Sequence, residues 1–400
     1  MRLCFVVQRY GLEATGGAET HCRWLAGRLA RSHEVEVVTT CALEYNEWRN
    51  HYPPGASTVD GIRVTRHPVE RPRDPRAFAL YSDIVFRDHH TPGDERTWVE
   101  QNGPFAPALV ESLPGLGHVD LFVFYSYRYY TTFFGLPRVA DRSVLVPTAE
   151  DDPAVRLPIF GPLFNAPRGL LYLTPEEQDL VGLTTGNVAV PSVVIGSGIH
   201  VPEGWRGVDP RAKFSLPERY VLYVGRIDWA KGVDQLVRYH QQLASEWPET
   251  PLLVLAGKPV IEIAPHPKLR CLGVVPDEEK CALMAGCDVL VLPSALESLS
   301  ISVLEAWSFG RPVLVNAACR VLEGQCVRSN GGLFYRGYAE FAPALRLLLE
   351  RADLREALGR SGREYVAREY DWDVVESRTN AFLARLAPSR TAPAVPASGP

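Results

Sequence analysis

Residues 293–312 place two carboxylates where both can act on one small ligand. They read Pro293-Ser-Ala-Leu-Glu297-Ser-Leu-Ser-Ile-Ser-Val-Leu-Glu305-Ala-Trp-Ser-Phe-Gly-Arg-Pro312. A buried strand ends at Pro293, Glu297 stands on the loop beyond it, and a helix opens near Ser300 with Glu305 inside its first two turns. Carboxylates on either side of a helix start can accept hydrogen bonds from sugar hydroxyls. The helix end, with free amides and partial positive charge, suits a phosphate. The alternative makes Glu305 a surface residue. Its neighbours Val303, Leu304, Ala306 and Trp307 read instead as a buried helix, where a solitary carboxylate is costly.

A second segment, Gly225-Arg-Ile-Asp-Trp-Ala-Lys-Gly232, follows a strand directly. Arg226 and Lys231 then project at the carboxyl end of that strand, where open α/β sheets bind ligands. A planar guanidinium and a point-charge ammonium beside a glycine-bounded turn suit a diphosphate, with an ordinary charged loop as the alternative. A third segment, Gly16-Gly17-Ala18-Glu19, lies where the first loop meets the first helix. Paired glycines admit close approach of a ligand to a helix start, another phosphate-suited place, although such pairs also serve simply as turns.

The elements that must carry these segments alternate between short apolar runs and longer helical patterns, as in parallel sheets covered by helices. Strands are expected at 2–8, 34–40, 119–125, 143–146 and 188–195, then at 220–224, 252–255, 269–272, 289–292 and 313–315. Helices are expected from Ala18 through Cys22, Leu25 and Leu29, and at 231–244, 277–285, 301–309, 338–369 and 372–386. Residues 45–115 carry a weaker pattern, and Arg63, Arg66, Arg71, Arg73 and Arg76 read as a solvated loop rather than an acceptor patch. The fold class is α/β, two doubly wound Rossmann-like domains facing a cleft. The expected divisions are 1–198 and 199–370 for the two Rossmann-like domains, which the family resemblance described below would make the acceptor side and the nucleotide-sugar side, 371–386 for a final helix packing back on the first domain, and 387–400 for a disordered tail.

Bulk properties narrow the class. A chain of 400 residues suits two domains, and a formal charge of −5 gives no basic footprint for nucleic acid. The eight cysteines form no CxxC pair and read as reduced, partly buried thiols. No run approaches the roughly 18 apolar residues of a membrane span, so a cytoplasmic protein is expected, with peripheral membrane contact left open. There is no GxGxxG, GxxxxGK[ST] or HExxH. Asp371-Trp-Asp373 has the look of a metal-binding DxD, but directly before a helix it reads as a cap, and no metal site is expected.

In these segments the chain resembles the retaining family-4 glycosyltransferases. Glu297 and Glu305 match that family's two glutamates, and the Ala-Trp-Ser-Phe-Gly-Arg-Pro-Val run continues the motif. Gly16-Gly17-Ala18-Glu19 is similar to its donor-phosphate loop, Gly225-Arg226 and Lys231-Gly232 to its basic signature, and Asp60-Gly61-Ile62-Arg63-Val64 to a common first-domain segment. The resemblance implies transfer of a sugar from a nucleotide-sugar donor, a co-substrate rather than a cofactor, with retained configuration and without metal. It leaves the acceptor unidentified, a sugar, lipid-linked or small-molecule compound being expected. Arg226 and Lys231 would bind the donor diphosphate with Gly16 and Gly17. Glu297 would hold the donor sugar and Glu305 the ribose. The backbone at Leu299, Ser300 and Ile301 would complete the phosphate site, and residues 273–277 would border the nucleobase.

Two departures stand out. Ser298-Leu299-Ser300 replaces the glycine-flanked aromatic residue usual after the first glutamate, and Tyr125-Ser126-Tyr127-Arg128 stands where many members carry a histidine. Glu150, Asp151 and Asp152 are the acidic candidates for acceptor binding or acid/base work, against a role in capping the loop. The rival functions are a nucleotide-sugar epimerase, needing no acceptor, and a non-catalytic nucleotide-sugar-binding protein. A nicotinamide dehydrogenase is disfavoured by the missing glycine fingerprint.

Overall fold

The computed structural model describes residues 1–187 and 189–387. The strand expected over 188–195 therefore starts at a residue outside this set, as do the tail residues from 388 onward. The strands are β1 Arg2–Val6, β2 Glu34–Thr40, β3 Gly55–Val59, β4 Ile62–His67, β5 Leu121–Tyr125, β6 Ser143–Val146, β7 Gly169–Tyr172 and β8 Ser192–Val194, followed by β9 Tyr220–Val224, β10 Leu252–Ala256, β11 Leu269–Gly273, β12 Val289–Leu292, β13 Val313–Asn316 and β14 Gly332–Tyr335. They form two sheets, ordered β3-β4-β2-β1-β5-β6-β7-β8 and β11-β10-β9-β12-β13-β14. Every pairing is parallel except the β3–β4 hairpin.

Strands buried on both faces need continuous apolar sequence, and the central ones have it: Leu-Phe-Val-Phe-Tyr in β5, Tyr-Val-Leu-Tyr-Val in β9 and Val-Leu-Val-Leu in β12 are buried throughout. Each sheet has one place where the winding reverses, between β1 and β5 in the first and between β9 and β12 in the second. A crevice opens there at the carboxyl ends of the strands. The segments starting at Gly16, Ser126, Gly225 and Glu297 follow β1, β5, β9 and β12 respectively. Topology therefore delivers all of them to the two crevices.

Residues 45–115 depart from the loop expected there. They contain the β3–β4 hairpin and the helices Pro75–Arg87, Pro92–Asn102 and Pro107–Ser112. Two of their arginines are buried rather than solvated. Arg66 donates to Tyr10 O (2.9 Å) and stacks on Tyr52, while Arg73 donates to Asn46 O (2.7 Å) and lies against the rings of Tyr45, Trp48 and Phe78. Carbonyl acceptors and aromatic faces compensate the buried charge. Strands β7 and β14 were also not expected, and the 338–369 helix is two helices, Tyr338–Glu350 and Ala352–Glu369.

The chain crosses between the sheets twice. At residues 196–198, Gly196 and Gly198 press so closely on the rings of Tyr370 and Trp372 that a side chain at either glycine would overlap them. The Trp372–Leu386 helix, capped by Asp371, then lies on the first domain. Arg28 pairs with Asp373 (2.7 Å) and Glu376 (3.0 Å), and Phe382 and Leu386 fill the space a side chain at Gly169 would need. The DxD pair thus makes a cap and a surface ion pair.

Candidate active site

On the second-domain side, Asp228 shapes the loop after β9. Its Oδ1 accepts the Lys231 amide (2.7 Å) and its Oδ2 pairs with Arg226, which curls the segment and fixes both cations. Gly232 closes the turn with φ 69°, a left-handed conformation, while a side chain there would strike Pro293 O at 2.8 Å. The Lys231 ammonium then reaches the loop after β12 and donates to Glu297 Oε1 at 2.7 Å. Burial opposes the lysine's charge, but Glu297 and Glu150 outweigh it and hold its pKa above the ordinary range. Arg226 keeps 43% of its side chain exposed and faces the Tyr45 ring of the first domain, 5.8 Å away.

The Ile301–Ser308 helix starts beside this pair. Ser300 is its cap and accepts the Val303 amide (3.4 Å), which leaves the first amides of the helix to be met from outside. Leu299 and Ser300 are buried and Ile301 is half-buried. Thr174 of the first domain donates to Ser298 O (3.1 Å), so the segment that departs from the family pattern is held from across the cleft. Glu305 is 2% exposed yet not solitary: Lys280 donates to its Oε1 (2.9 Å) and also pairs with Asp277 (2.9 Å). Burial raises the Glu305 pKa, and Lys280 works against that rise.

The first-domain lip begins at Gly16, the cap of the Gly17–Leu29 helix, with φ 149°. The Glu19 carboxylate folds back against it and leaves no room for a side chain. Glu19 is buried and accepts from Gln8 (2.8 Å) and from Arg9 (2.9 and 2.6 Å). That carboxylate builds the loop. Gly17, by contrast, faces open space, since a side-chain carbon there would meet nothing within 4 Å.

The acidic trio divides. Asp151 pairs with Arg156 at the surface. Asp152 caps the turn at Pro153–Arg156 through the Val155 amide (3.3 Å) and pairs with Arg128 (2.7 Å). Only Glu150 shares the cleft with Lys231 and Glu297, whose charges it feels. It accepts from Arg128 at 3.4 Å, and burial lifts its pKa against the pull of Arg128 and Lys231. Ser126 (φ 63°) and Thr148 (φ 50°), at the ends of β5 and β6, hold left-handed backbone and share a hydroxyl hydrogen bond of 2.8 Å. Strained backbone of this kind concentrates where side chains must be aimed.

Four charges thus alternate across the cleft, Arg128, Glu150, Lys231 and Glu297, with Asp152 pairing behind Arg128. Arg128, Asp228 and Lys280 have no role in the reading of the sequence above. An acid two and three residues from two cations was a visible sign for Asp228, and Arg128 stands where the histidine was sought. Lys280 lies 25 positions from Glu305 on another helix, where no local pattern connects them. Residues 273–277 lead from β11 into the Asp277–Gly286 helix, so the loop ends at the Asp277–Lys280–Glu305 network.

Residues 209–365 match the family model of the glycosyl transferases group 1, and that span holds Arg226, Lys231, Glu297 and Glu305. The chain carries a group 1 glycosyltransferase domain. Relatives extend over its whole length. An uncharacterized glycosyltransferase of Methanocaldococcus jannaschii is 23% identical over 95% of this chain and 97% of its own. A glycogen synthase of Mycobacterium tuberculosis is 28% identical over 96% and 95%. Among solved structures, a sucrose-phosphate synthase from Thermosynechococcus elongatus superposes with a TM-score of 0.70 at 17% identity, covering 96% of this chain and 98% of that one. Anabaena HepE, in complex with UDP and glucose, gives 0.67 at 15% identity, covering 96% and 100%. The glycosyltransferase thus has the two-domain fold of these enzymes, and no described helix is long and apolar enough to cross a membrane. Neither the epimerase nor the binding-only reading finds support in these likenesses.

Proposed function

We propose that this glycosyltransferase takes a sugar from a nucleoside-diphosphate sugar and passes it to an acceptor hydroxyl, with retention of configuration, without a divalent metal, and in the manner of family 4. The observation that carries the reading is the Lys231–Glu297 contact beside Arg226 and the capped helix start at Ser300. It brings a cation, a carboxylate and a helix start into one crevice, the set of groups that a sugar diphosphate calls for. The bond from the anomeric carbon to the phosphate oxygen breaks, and charge grows on the departing diphosphate. Arg226, Lys231 and the helix amides stabilise that charge more in the transition state than before it. Glu297 accepts hydrogen bonds from the sugar hydroxyls and so aims the anomeric carbon. Glu305, its charge balanced by Lys280, accepts from the ribose hydroxyls.

The acceptor enters from the first-domain lip, where Glu150 and Arg128 line its approach. It attacks on the face that the diphosphate leaves, and its proton passes to the departing phosphate oxygen. Uridine diphosphate sugars are the donors to try first, because solved structures of the same fold hold UDP with glucose or a fluorinated UDP-glucose.

Titration calorimetry with uridine, guanosine and adenosine diphosphates, with and without chelator, tests the donor side. One of them should bind equally well in both conditions. Binding lost on chelation would overturn the metal-free assignment. With a turnover-competent donor, the anomeric coupling constant of the product in NMR reads retention directly.

A further inference from the structure

The Ile301–Ser308 helix has a second end, and a cavity of about 490 Å³ opens there, on the far side of the second sheet from the strand ends that form the cleft. Trp205 and Phe309 make an aromatic wall, with ring centroids 5.0 Å apart in an edge-to-face arrangement. Three arginines also line it, beside Val201, Ala285 and Ser308: Arg206, 4.9 Å from the Trp205 ring, Arg311, and Arg363, which lies across Gly310. Among the described residues, no acidic side chain lines the space. Arg311 donates through Nη2 to Ala285 O, but its buried Nε has no partner.

A count of charge decides what the cavity wants. The Asp277–Gly286 and Ile301–Ser308 helices both end here, and a helix carboxyl end carries roughly half a negative charge. Two such ends offset only part of the charge of three guanidinium groups, and the nearest acids, Asp371 and Asp373, lie in the adjoining space beyond Arg363, so the cavity itself is net positive. A phosphate monoester at neutral pH carries about −1.5 to −2 and offers three acceptor oxygens. Guanidinium groups match phosphate geometry in bidentate fashion, and an indole face accepts a ring beside it.

We propose that this cavity is a binding site, separate from the cleft, for a soluble phosphate monoester that carries a ring, the phosphate held by Arg206, Arg311 and Arg363 and the ring lying on Trp205. The assignment does not depend on the donor reading, and its test keeps the two apart. Adenosine monophosphate and glucose 6-phosphate are titrated into the full-length Arg226→Ala/Lys231→Ala protein, whose cleft lacks the two cations assigned to the donor diphosphate. At least one should still bind saturably, with inorganic phosphate weaker and adenosine or glucose alone undetectable. Adding Arg206→Ala and Arg363→Ala should weaken it at least about tenfold. Both arginines are exposed, so an unchanged melting temperature shows that the fold is intact.

Binding by neither ester, binding that vanishes with the cleft cations alone, or binding indifferent to Arg206 and Arg363 would overturn the site. Phosphatidylglycerol vesicles serve as the other source of a phosphate group. Sedimentation with them that requires Arg206 and Arg363 would assign the arginines to a lipid headgroup and overturn the soluble ligand.

Discussion

Glu297 and Glu305 differ in what already holds them, and their loss should differ accordingly. Glu297 stands in the cleft against Lys231, whereas Glu305 is buried against Lys280. Glu297→Gln should depress kcat, because the sugar it holds is the part that reacts. Glu305→Gln should mainly raise the donor KM, since ribose contacts are shared by ground and transition states. Steady-state kinetics at saturating acceptor separate the two, and matching profiles would make both glutamates structural. Arg128 supplies a test of Glu150. Its charge opposes the rise that burial imposes on the Glu150 pKa, so Arg128→Met should lift that pKa further. If catalysis needs ionised Glu150, the acid limb of the kcat/KM profile moves to higher pH in Arg128→Met and returns toward its place in Arg128→Lys. A limb that stays still in both removes Glu150 from the chemistry.

Among the elements, the Gly17–Leu29 helix is anchored by a histidine that must stay neutral. His21 contacts Gly196 O (3.0 Å) and the Tyr125 hydroxyl (3.0 Å). With the proton on Nε2, one ring nitrogen donates and the other accepts. His240 is likewise buried against Pro251 O (3.0 Å). Burial lowers both to about 4 from an ordinary value of 6.5. Above pH 6.5 neither the folded nor the unfolded chain holds these protons, and the contribution of the two histidines is at its plateau. Between 6.5 and about 4 only the unfolded chain takes them up, so stability falls with pH by about 1.4 kcal/mol per unit for each histidine. Buried Glu177, raised to about 8, acts in the opposite sense over part of this range, so the histidine share is read as a difference: in urea unfolding at pH 5 and 6, His240→Gln should lose about 1.4 kcal/mol less between the two than the parent protein. The same elements show what a sequence discloses. β9, β12 and the Trp372–Leu386 helix have the bounds expected of them, because their apolar spacing is complete within a few residues. The β3–β4 hairpin escaped because Gly-Ala-Ser-Thr-Val is mostly exposed and β4 has only two apolar residues, Ile62 and Val64, among Arg63, Thr65, Arg66 and His67. The motif residues could be picked out because each lies in a short contiguous segment. Their partners Lys280 and Arg128 could not, because the fold, not the local order, makes those contacts.

At the scale of the whole molecule, contacts bridge the cleft on both flanks. Glu176 of the first domain pairs with Arg328 of the second, and Lys258 reaches Glu44 at 3.4 Å. The first pair is partly buried, and its Arg328 donates through Nε to the Tyr365 hydroxyl (3.2 Å), whereas the second is exposed and screened by salt. The final helix has a consequence for biosynthesis. Phe382 and Leu386 cover Gly169, and Arg28 finds its carboxylates at Asp373 and Glu376, so the first sheet is roofed by residues translated after the entire second domain. A nascent chain emerges at about 5–20 residues per second. The first domain must therefore wait on the ribosome for roughly ten seconds or more, its apolar roofing surface bare and open to chaperones, before the piece that completes it appears. A fragment of residues 1–198 should bind hydrophobic dye and melt without cooperativity, and a peptide spanning 371–386 supplied in trans should restore a cooperative transition. A fragment that is cooperative on its own would mean that the roof is dispensable.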